Sequence, residues 1–386
     1  MKRRVTLEIY LDNAATTPLL PEVEAVMMAA FQQFGNPSSL HRKGVQAEDV
    51  VRRARQQVLH ALGVNQGKLV FTGSGTEANN LAIIGVIRRY ANRGRHIVTT
   101  SIEHSSVLEV YRYLERRGWD VTFVNPDATG QVQVQDILSA LRPDTLLVSM
   151  MHVNNETGAL LPVQQVGVAL KTQSKTLFHV DGIQSFGKVP DCLVHAQADL
   201  YTVSAHKLGG PKGVGALYLR QALNIDPLLW GGGQEFGLRS GTENVAGIAG
   251  FGIAAAQAAQ DLPDSWNHVR NLYGILCDGL KELGAHVISP FPFSPYIVNA
   301  SFPGIRAEVF LHALEAQGVY VSTGSACSTH KGRVQTSHVL QAMGISLGEA
   351  TGAVRFSLAR WQTPEDIQTA LQRVAEQVQW VHQVGG

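Results

Sequence analysis

The chain has 386 residues, of which 45% are hydrophobic and only 16% are charged. At about 150 residues per domain this length predicts two or three domains, and the apolar content suffices for one or two large cores. Lys and Arg number 32 against 31 Asp and Glu, so there is no global basic field for binding nucleic acid or an anionic membrane. The composition therefore excludes a disordered chain, a coiled coil and a collagen-like fibre.

The cysteines and the amino terminus indicate where the protein works. Cys192, Cys277 and Cys327 are too few and too far apart for a disulfide framework or a zinc site. Glu8 and Asp12 interrupt the basic amino-terminal segment, so it does not read as a signal peptide. No run of about 18 apolar residues is present in the sequence. We therefore expect a soluble, cytoplasmic protein with at least one free thiol and no membrane contact.

Short apolar runs alternate with segments of helical period from about residue 17 to 250. The predicted strands are 68–72, 96–101, 119–124, 145–151, 176–181, 199–204 and 214–220. Amphipathic helices are predicted at 48–62, 77–92 and 107–117, and an Ala-rich helix is predicted after the last strand, at 244–260. This alternation indicates an α/β fold with a mainly parallel sheet that is covered by helices on both faces.

The pattern changes beyond about residue 262. Three helices are predicted at 266–283, 308–317 and 364–381. Four shorter strands are predicted at 286–289, 296–301, 319–322 and 354–358. We therefore predict a large domain over residues 17–250 and a smaller α+β domain formed by residues 1–16 and 251–386.

A lysine follows the predicted strand 199–204. Lys207 closes the tetrapeptide Ser-Ala-His-Lys, and two glycines and a proline come soon after it. The carboxyl ends of such strands face the crevice where open α/β sheets bind ligands. Desolvation there lowers the pKa of a lysine and makes its amine a nucleophile toward a carbonyl group. A lone lysine in such a position is more often simply exposed at the strand end.

An aspartate ends the preceding predicted strand. Asp181 closes the apolar run 177–180, where a carboxylate needs a positive partner. Pyridoxal phosphate (PLP) requires a carboxylate against its ring nitrogen, which would satisfy that need. Alone, Asp181 could instead cap the next helix. Together, Asp181 and Lys207 at the ends of successive strands indicate a PLP site.

Further residues could complete such a site. The segments 72–77 and 239–243 each open a helical pattern with glycine and hydroxyl residues, and helix starts bind phosphate. His104 lies just past a strand, where its flat imidazole could stack on a cofactor ring. Asn155 could donate to a phenolic oxygen or a carboxylate. Taken alone, the two segments and Asn155 could form ordinary turns, and His104 could be a polar loop histidine.

Nine short motifs span nearly the whole chain: YLDNAATTP (10–18), GSGTEANN (73–80), EH (103–104), NNETG (154–158), DGIQS (181–185), SAHK (204–207), RSGTEN (239–244), GSAC (324–327) and RFSL (355–358). In this order they resemble the motifs of PLP-dependent cysteine desulfurases of the NifS/IscS type, which are class V aminotransferases. The resemblance implies PLP fold type I, and release of sulfur from L-cysteine to leave L-alanine.

The resemblance also implies a role for each matching position. It implies that Lys207 is linked covalently to PLP and that Asp181 contacts the ring nitrogen. It also implies that Gln184 contacts the phenolic oxygen and that His104 stacks on the ring and acts as an acid or base. Phosphate binding is implied for Gly75, Thr76, Ser204, His206 and, from the neighbouring subunit of a homodimer, Thr242. Binding of the substrate carboxylate is implied for Arg355, Asn36 and Asn155, the last of which also contacts the cofactor.

One cysteine has a setting that suits a nucleophile. Cys327 is followed by the segment 328–337, in which Val334 is the single apolar residue. Such a segment cannot bury enough surface to stay fixed, and its basic residues favour a thiolate. We therefore predict a mobile loop at about 323–337 whose thiol takes the sulfur of L-cysteine as a persulfide. The alternative for a lone cysteine is a small buried hydrophobic residue, and this is what we expect of Cys192 and Cys277.

Several alternatives stay open at this point. A selenocysteine lyase or another class V aminotransferase would use the same cofactor, and a transaminase would not need Cys327. A non-catalytic sulfur-relay subunit is a third possibility, against which the intact set of Lys207, Asp181 and His104 argues. The sulfur acceptor is expected to be a protein of iron–sulfur cluster assembly or of tRNA or cofactor thiolation. No metal site and no direct contact with nucleic acid are expected.

Overall fold

The computed structural model describes residues 8–190, 196–323, 329–330, 333–334 and 336–384. Its strands are β1 (Ile9–Tyr10), β2 (Lys68–Thr72), β3 (His96–Thr100), β4 (Asp120–Val124), β5 (Thr145–Met151), β6 (Leu177–Asp181), β7 (Leu200–Ser204), β8 (Gly215–Leu219), β9 (His286–Val287), β10 (Ile297–Ser301), β11 (Val319–Tyr320), β12 (Thr329–His330), β13 (Arg333–Val334) and β14 (Ala353–Ser357). Its helices are α1 (Pro21–Gln32), α2 (Arg42–Ala61), α3 (Gly75–Tyr90), α4 (Ser105–Glu115), α5 (Val134–Ser139), α6 (Val163–Gln173), α7 (Val245–Glu282), α8 (Ala307–Ala316), α9 (His338–Ala342), α10 (Leu347–Thr351) and α11 (Pro364–Val384). Within these ranges no helix has both the length and the apolar character that a membrane span requires.

Seven strands form one large sheet in the order β2-β8-β7-β6-β5-β3-β4. Every pairing is parallel except those of β8, which runs antiparallel to both β2 and β7. The predicted α/β fold with a mainly parallel sheet is confirmed. Each of the seven strands agrees with its predicted bounds to within one residue at either end.

The sheet is buried on both faces because successive residues of its central strands enter different cores. Leu147 packs in one hydrophobic cluster and its neighbour Val148 in another, and Leu177 and Phe178 on β6 divide in the same way. Side chains alternate across a strand, so a strand covered on both sides is mainly apolar. The buried polar side chains in the middle of β5, β6 and β7 pair with one another, because His179 hydrogen-bonds to both Ser149 (2.8 Å) and Thr202 (3.0 Å).

A second, smaller sheet has the order β14-β10-β9 and is antiparallel. It packs with α8, α11 and the second half of α7 around a separate hydrophobic cluster. The amino-terminal strand β1 pairs in parallel with β11, and Ile9 and Leu11 are buried in this same cluster. The division at residues 17 and 250 stays a prediction, although residues 9–14 pack with the carboxyl-terminal part of the chain.

The long helix α7 differs from the sequence prediction. Two helices were expected, at 244–260 and 266–283, whereas one helix of 38 residues runs through Pro263. A proline inside a helix costs about 3 kcal/mol because it removes a hydrogen bond and clashes with the preceding turn. Phe251 in the first half packs in the core of the large sheet, while Leu276 in the second half packs in the core of the small sheet. Burial of both halves offsets the cost of the proline.

Candidate active site at the carboxyl ends of the strands

Loops after β2, β3, β5, β6 and β7 converge on one cavity of about 430 Å³. The amino-terminal segment and β14 close its other side through Ala14, Ala15 and Arg355. Ten of the predicted site residues line it: Gly75, Thr76, His104, Asn155, Asp181, Gln184, Ser204, His206, Lys207 and Arg355. The structure therefore brings together residues that are as far apart in the sequence as Gly75 and Arg355.

Lys207 lies in a short 3-10 turn, Ala205–Lys207, directly after β7. Its Nζ donates hydrogen bonds to the backbone carbonyls of Ala14 (2.6 Å) and Ala15 (2.8 Å). Burial lowers the pKa of Lys207 to about 8, and the positive charge of Arg355 acts in the same direction. About a tenth of this amine is therefore neutral at pH 7, far more than for an ordinary lysine, and the neutral form is the nucleophile.

Asp181 is buried at the end of β6. Its Oδ1 accepts from the backbone N–H of Ile183 (3.0 Å), and its Oδ2 accepts from Nδ2 of Asn79 (2.7 Å). Burial raises the pKa of Asp181, while these hydrogen bonds and the nearby His104 and Lys207 lower it. A cationic group against this carboxylate would stabilise its ionised form.

The amino terminus of α3 provides an anion site. Ser74 caps the helix by accepting from the backbone N–H of Glu77 (3.1 Å), and Gly75 is the first helical residue. A Cβ on Gly75 would lie 2.4 Å from Cδ1 of Ile183, so a larger residue here would require the Ile183 side chain to move. Ser204 is buried beside it, and within the described residues its hydroxyl has no hydrogen-bond partner. An unpaired hydroxyl near a helix start suits a phosphate group.

His104 caps the amino terminus of α4 with its imidazole. Nδ1 accepts from the backbone N–H of Ser106 (3.1 Å) and lies 2.8 Å from the Ser106 hydroxyl. The side chain is exposed in the single chain, but the surface that it exposes belongs to a concave cavity. Desolvation lowers the pKa of His104, and so does the charge of Lys207, while Asp181 opposes them. The neutral imidazole is therefore favoured.

Arg355 is buried on β14 and provides positive charge at the far wall of the cavity. Its Nη1 donates to the backbone carbonyl of Asn155 (2.8 Å), and its Nη2 donates to Oδ1 of Asp12 (2.8 Å). Among the described residues its Nε has no partner. A guanidinium held in this way is suited to bind a carboxylate.

Gln184 makes different contacts from those expected of a partner for a phenolic oxygen. Its Nε2 donates to the backbone carbonyl of Ala14 (2.8 Å), and its Oε1 lies 3.5 Å from Nζ of Lys188. The residue is buried and lines the cavity, so its contact with a cofactor stays a prediction.

Two predicted site residues lie away from the cavity, and one is outside the described residues. Asn36 is exposed, and its Oδ1 accepts from the backbone N–H of Ser38 (2.9 Å) in a local turn. The structure therefore does not place Asn36 among the residues that line the cavity. Thr242 is also exposed and lines a separate depression beside Arg239. Cys327 falls in the range 324–328, which the structure does not describe.

The sequence analysis missed three contributors to this site. Asn79 donates to Asp181, Ser106 contacts His104, and Asp12 pairs with Arg355. Asn79 and Asp12 lie inside the recognised motifs, and Ser106 lies two residues after the motif Glu-His. The sequence therefore contains these residues in or beside the motifs, but it does not show which residues they contact, because those contacts depend on the tertiary structure. In the described part of the chain, no group of three or more His, Cys, Asp or Glu side chains is arranged to hold a metal ion.

A family model described as aminotransferase class-V matches residues 9–370. The chain therefore belongs to the class-V aminotransferase family. Cysteine desulfurase IscS of Dictyoglomus turgidum is 39% identical to it, over 97% of this chain and 96% of that protein. Cysteine desulfurase IscS of Shewanella loihica is 40% identical, over 96% of this chain and 93% of that protein.

Solved structures agree with this membership. A NifS-like protein superimposes on the chain with a TM-score of 0.91 at 38% identity, and covers 97% of this chain and 100% of its own. SspA, solved in complex with cysteine, gives a TM-score of 0.80 at 32% identity over 92% of this chain and 100% of its own. The fold is fold type I of the PLP enzymes, and the class-V family implies PLP as the cofactor.

Proposed function

We propose that the chain is a PLP-dependent cysteine desulfurase. The observation that carries the proposal is the convergence of Lys207, Asp181 and His104 in one cavity beside an anion site. In the overall reaction, L-cysteine and an enzyme thiol give L-alanine and an enzyme persulfide, so that one carbon–sulfur bond breaks and one sulfur–sulfur bond forms. The relatives named above, which are cysteine desulfurases of nearly the same length, support this assignment.

The residues of the cavity fit PLP. Lys207 supplies a partly neutral amine for its aldehyde carbon, and Asp181 supplies a carboxylate for its ring nitrogen. The start of α3, together with Ser204 and His206, suits its phosphate. When bound, PLP withdraws electrons from the α-carbon of an amino acid substrate. Lys207 or His104 then moves the proton of that carbon, because both side chains line the cavity and neither is locked as a cation.

Arg355 and Asn155 are proposed to bind the substrate carboxylate. The Arg355 guanidinium is already oriented by Asp12 and by the carbonyl of Asn155, so little conformational entropy is lost on binding. Ten of the predicted site residues share one cavity, whereas Asn36 does not reach it. We therefore propose no contact between Asn36 and a substrate in the cavity of its own chain.

Cys327 is proposed as the thiol that receives the substrate sulfur. The proposal rests on the polar and basic sequence around it, because a thiolate and not a thiol is the nucleophile. Cys277 is a poor alternative, since it is buried in α7 and burial raises its pKa to about 11. At neutral pH Cys277 is therefore almost entirely protonated.

Asp181→Asn is expected to lower kcat/KM about a hundredfold or more, because a charge preorganised against the cofactor ring is lost. The free energy of unfolding of the cofactor-free protein should change little at pH 7, because removal of a buried charge opposes the loss of one of the two hydrogen bonds that the carboxylate accepts. Burial raises the pKa of this carboxyl, so its ionisation in the folded state is unfavourable above its unfolded pKa. Steady-state kinetics and urea unfolding measure the two effects.

Asp199→Asn is the matched control for this variant. Asp199 is also a buried carboxylate, but it pairs with Lys171 (2.5 Å) and Arg220 (2.6 Å) outside the cavity. It should lose stability and keep turnover. Wild-type turnover in Asp181→Asn would show that Asp181 is only a structural cap.

We propose that the protein acts as a homodimer in which Thr242 completes the phosphate site of the neighbouring subunit. Thr242 is exposed and does not line the cavity of its own chain. Large apolar side chains are exposed as well, and they give a second copy a surface to bury: Phe34 (81%), Leu40 (100%) and Trp230 (70%).

A heterodimer of Thr242→Ala and Lys207→Ala chains tests this arrangement. If Thr242 acts on the neighbouring subunit, one site of each heterodimer carries both substitutions and the other carries none. Half of the sites should then bind PLP with wild-type affinity, while the Thr242→Ala homodimer binds it about tenfold more weakly. If Thr242 acts within its own chain, both sites are impaired. An active monomer in sedimentation velocity would contradict the dimer itself.

A selenocysteine lyase or another class-V aminotransferase is the alternative activity, and a non-catalytic relay subunit is disfavoured by the complete cavity. The sulfur acceptor is proposed to be a protein of iron–sulfur cluster assembly or of tRNA or cofactor thiolation. A cytoplasmic location is likewise proposed. Capture of persulfide-accepting proteins from the native cell would distinguish the acceptors.

A further inference from the structure

A chain of hydrogen bonds connects Asp181 with His104 along one wall of the cavity. Nδ2 of Asn79 lies 2.7 Å from Oδ2 of Asp181 and 2.9 Å from the hydroxyl oxygen of Ser106. That hydroxyl oxygen lies 2.8 Å from Nδ1 of His104. Asn79 and Ser106 are both buried, so water does not compete for these bonds.

The amide of Asn79 can take only one orientation here. Both hydrogens of its Nδ2 are used, one on Asp181 and one on Ser106. The flipped amide would place a carbonyl oxygen against the carboxylate of Asp181, which is repulsive. Oδ1 of Asn79 is left without a partner among the described residues, so no opposing contact favours the flip. Asn79 is therefore a double donor.

This orientation decides the direction of the next bond. Because the Ser106 hydroxyl accepts from Asn79, its single hydrogen is free to point at Nδ1 of His104. The backbone N–H of Ser106 points at the same nitrogen from 3.1 Å. Two donors at Nδ1 require it to be the unprotonated nitrogen of a neutral ring. The ring proton then resides on Nε2.

We propose that Ser106, oriented by Asn79, is a positioning residue that fixes His104 as the Nε2–H tautomer. His104 consequently presents an N–H rather than a lone pair at Nε2 and serves as a hydrogen-bond donor in the cavity, which leaves Lys207 as the base for the proton of the substrate α-carbon. The lowered pKa of His104 agrees with a neutral ring. The catalytic use of this proton rests on the proposed function, whereas the tautomer is a property of this chain alone.

Nuclear magnetic resonance of the cofactor-free protein with ¹⁵N-labelled histidine tests the proposal without any turnover. The His104→Gln spectrum identifies the resonances of His104 by their absence. The wild type should show Nε2 protonated and Nδ1 unprotonated for the neutral ring. Ser106→Ala should raise the share of the Nδ1–H tautomer relative to the Nε2–H tautomer about fivefold, because one of the two donors is lost.

Two further variants separate this role from general effects of substitution. Ser106→Thr keeps the hydroxyl and should keep the wild-type tautomer ratio. Ser105→Ala alters the exposed neighbour at the same helix start and should also leave the ratio unchanged. A wild-type His104 protonated at Nδ1 would overturn the proposal even if no variant folds. Equal tautomer ratios of His104 in Ser106→Ala and Ser105→Ala would overturn it as well. Failure of the wild type to turn over L-cysteine while the tautomer holds would overturn only the proposed function.

Discussion

Replacing Cys327 by alanine is expected to abolish the formation of alanine and sulfide from L-cysteine while leaving PLP binding intact. The substrate sulfur then has no thiolate to receive it, and loss of a nucleophile typically lowers kcat by about a thousandfold or more. The variant should still bind L-cysteine and change the absorption spectrum of the bound cofactor, because that step uses Lys207 and Arg355. Stopped-flow absorption and an alanine assay measure the two steps separately.

Cys277→Ser is the matched control for this substitution. It removes a buried thiol of α7 whose raised pKa makes it a poor nucleophile, so turnover should stay near that of the wild type. Selenocysteine is a useful second substrate for Cys327→Ala, because selenium leaves with less nucleophilic help. Wild-type turnover of L-cysteine by Cys327→Ala would remove Cys327 from the mechanism and favour another class-V activity.

Lys207→Ala is expected to eliminate both turnover and the covalent attachment of PLP. Lys207 is the lysine that lines the cavity among the described residues, and its neutral amine is the nucleophile that PLP requires. Turnover should fall by about a thousandfold or more. Borohydride reduction followed by peptide mass spectrometry should find PLP on the Lys207 peptide of the wild type and on no peptide of the variant.

The pH dependence of PLP uptake gives an independent check on Lys207. Burial lowers the pKa of this amine to about 8, so the reactive neutral fraction increases as the pH rises through that value. The rate of uptake by the cofactor-free protein should therefore increase up to about pH 8 and level off above it. Lys212→Ala, at an exposed lysine nearby, should bind PLP and turn over L-cysteine normally. A wild type that never binds PLP would contradict the assignment of the cofactor.

The large sheet and the two central residues of the site were predictable because they depend on local patterns. Apolar runs located the seven strands, and the polar residues Asp181 and Lys207 stand where two of those strands end. The antiparallel direction of β8 was not predictable, because a run of apolar residues reads the same in either direction. The single helix α7 was missed because Pro263 is a local signal, whereas burial in two separate cores is a tertiary one.

The supporting residues of the site illustrate the same limit. Asn79 and Ser106 lie at the starts of two different helices, α3 and α4, and only the packing of these helices places one beside the other. Asn36 shows the reverse case, since the family resemblance implied a substrate contact and the structure places it in an exposed turn. Sequence motifs thus identified candidate residues, and the fold determined which of them share the cavity.

Mass spectrometry of the protein after treatment with L-cysteine tests the proposed sulfur transfer most directly. The wild type, digested without reductant, should carry the mass of one additional sulfur atom on the peptide that contains Cys327. A reductant should remove this mass, and Cys327→Ala should not acquire it. Alanine formation without any added sulfur, or an added sulfur on the peptide of Cys192 or Cys277, would contradict the assignment of Cys327 as the sulfur carrier.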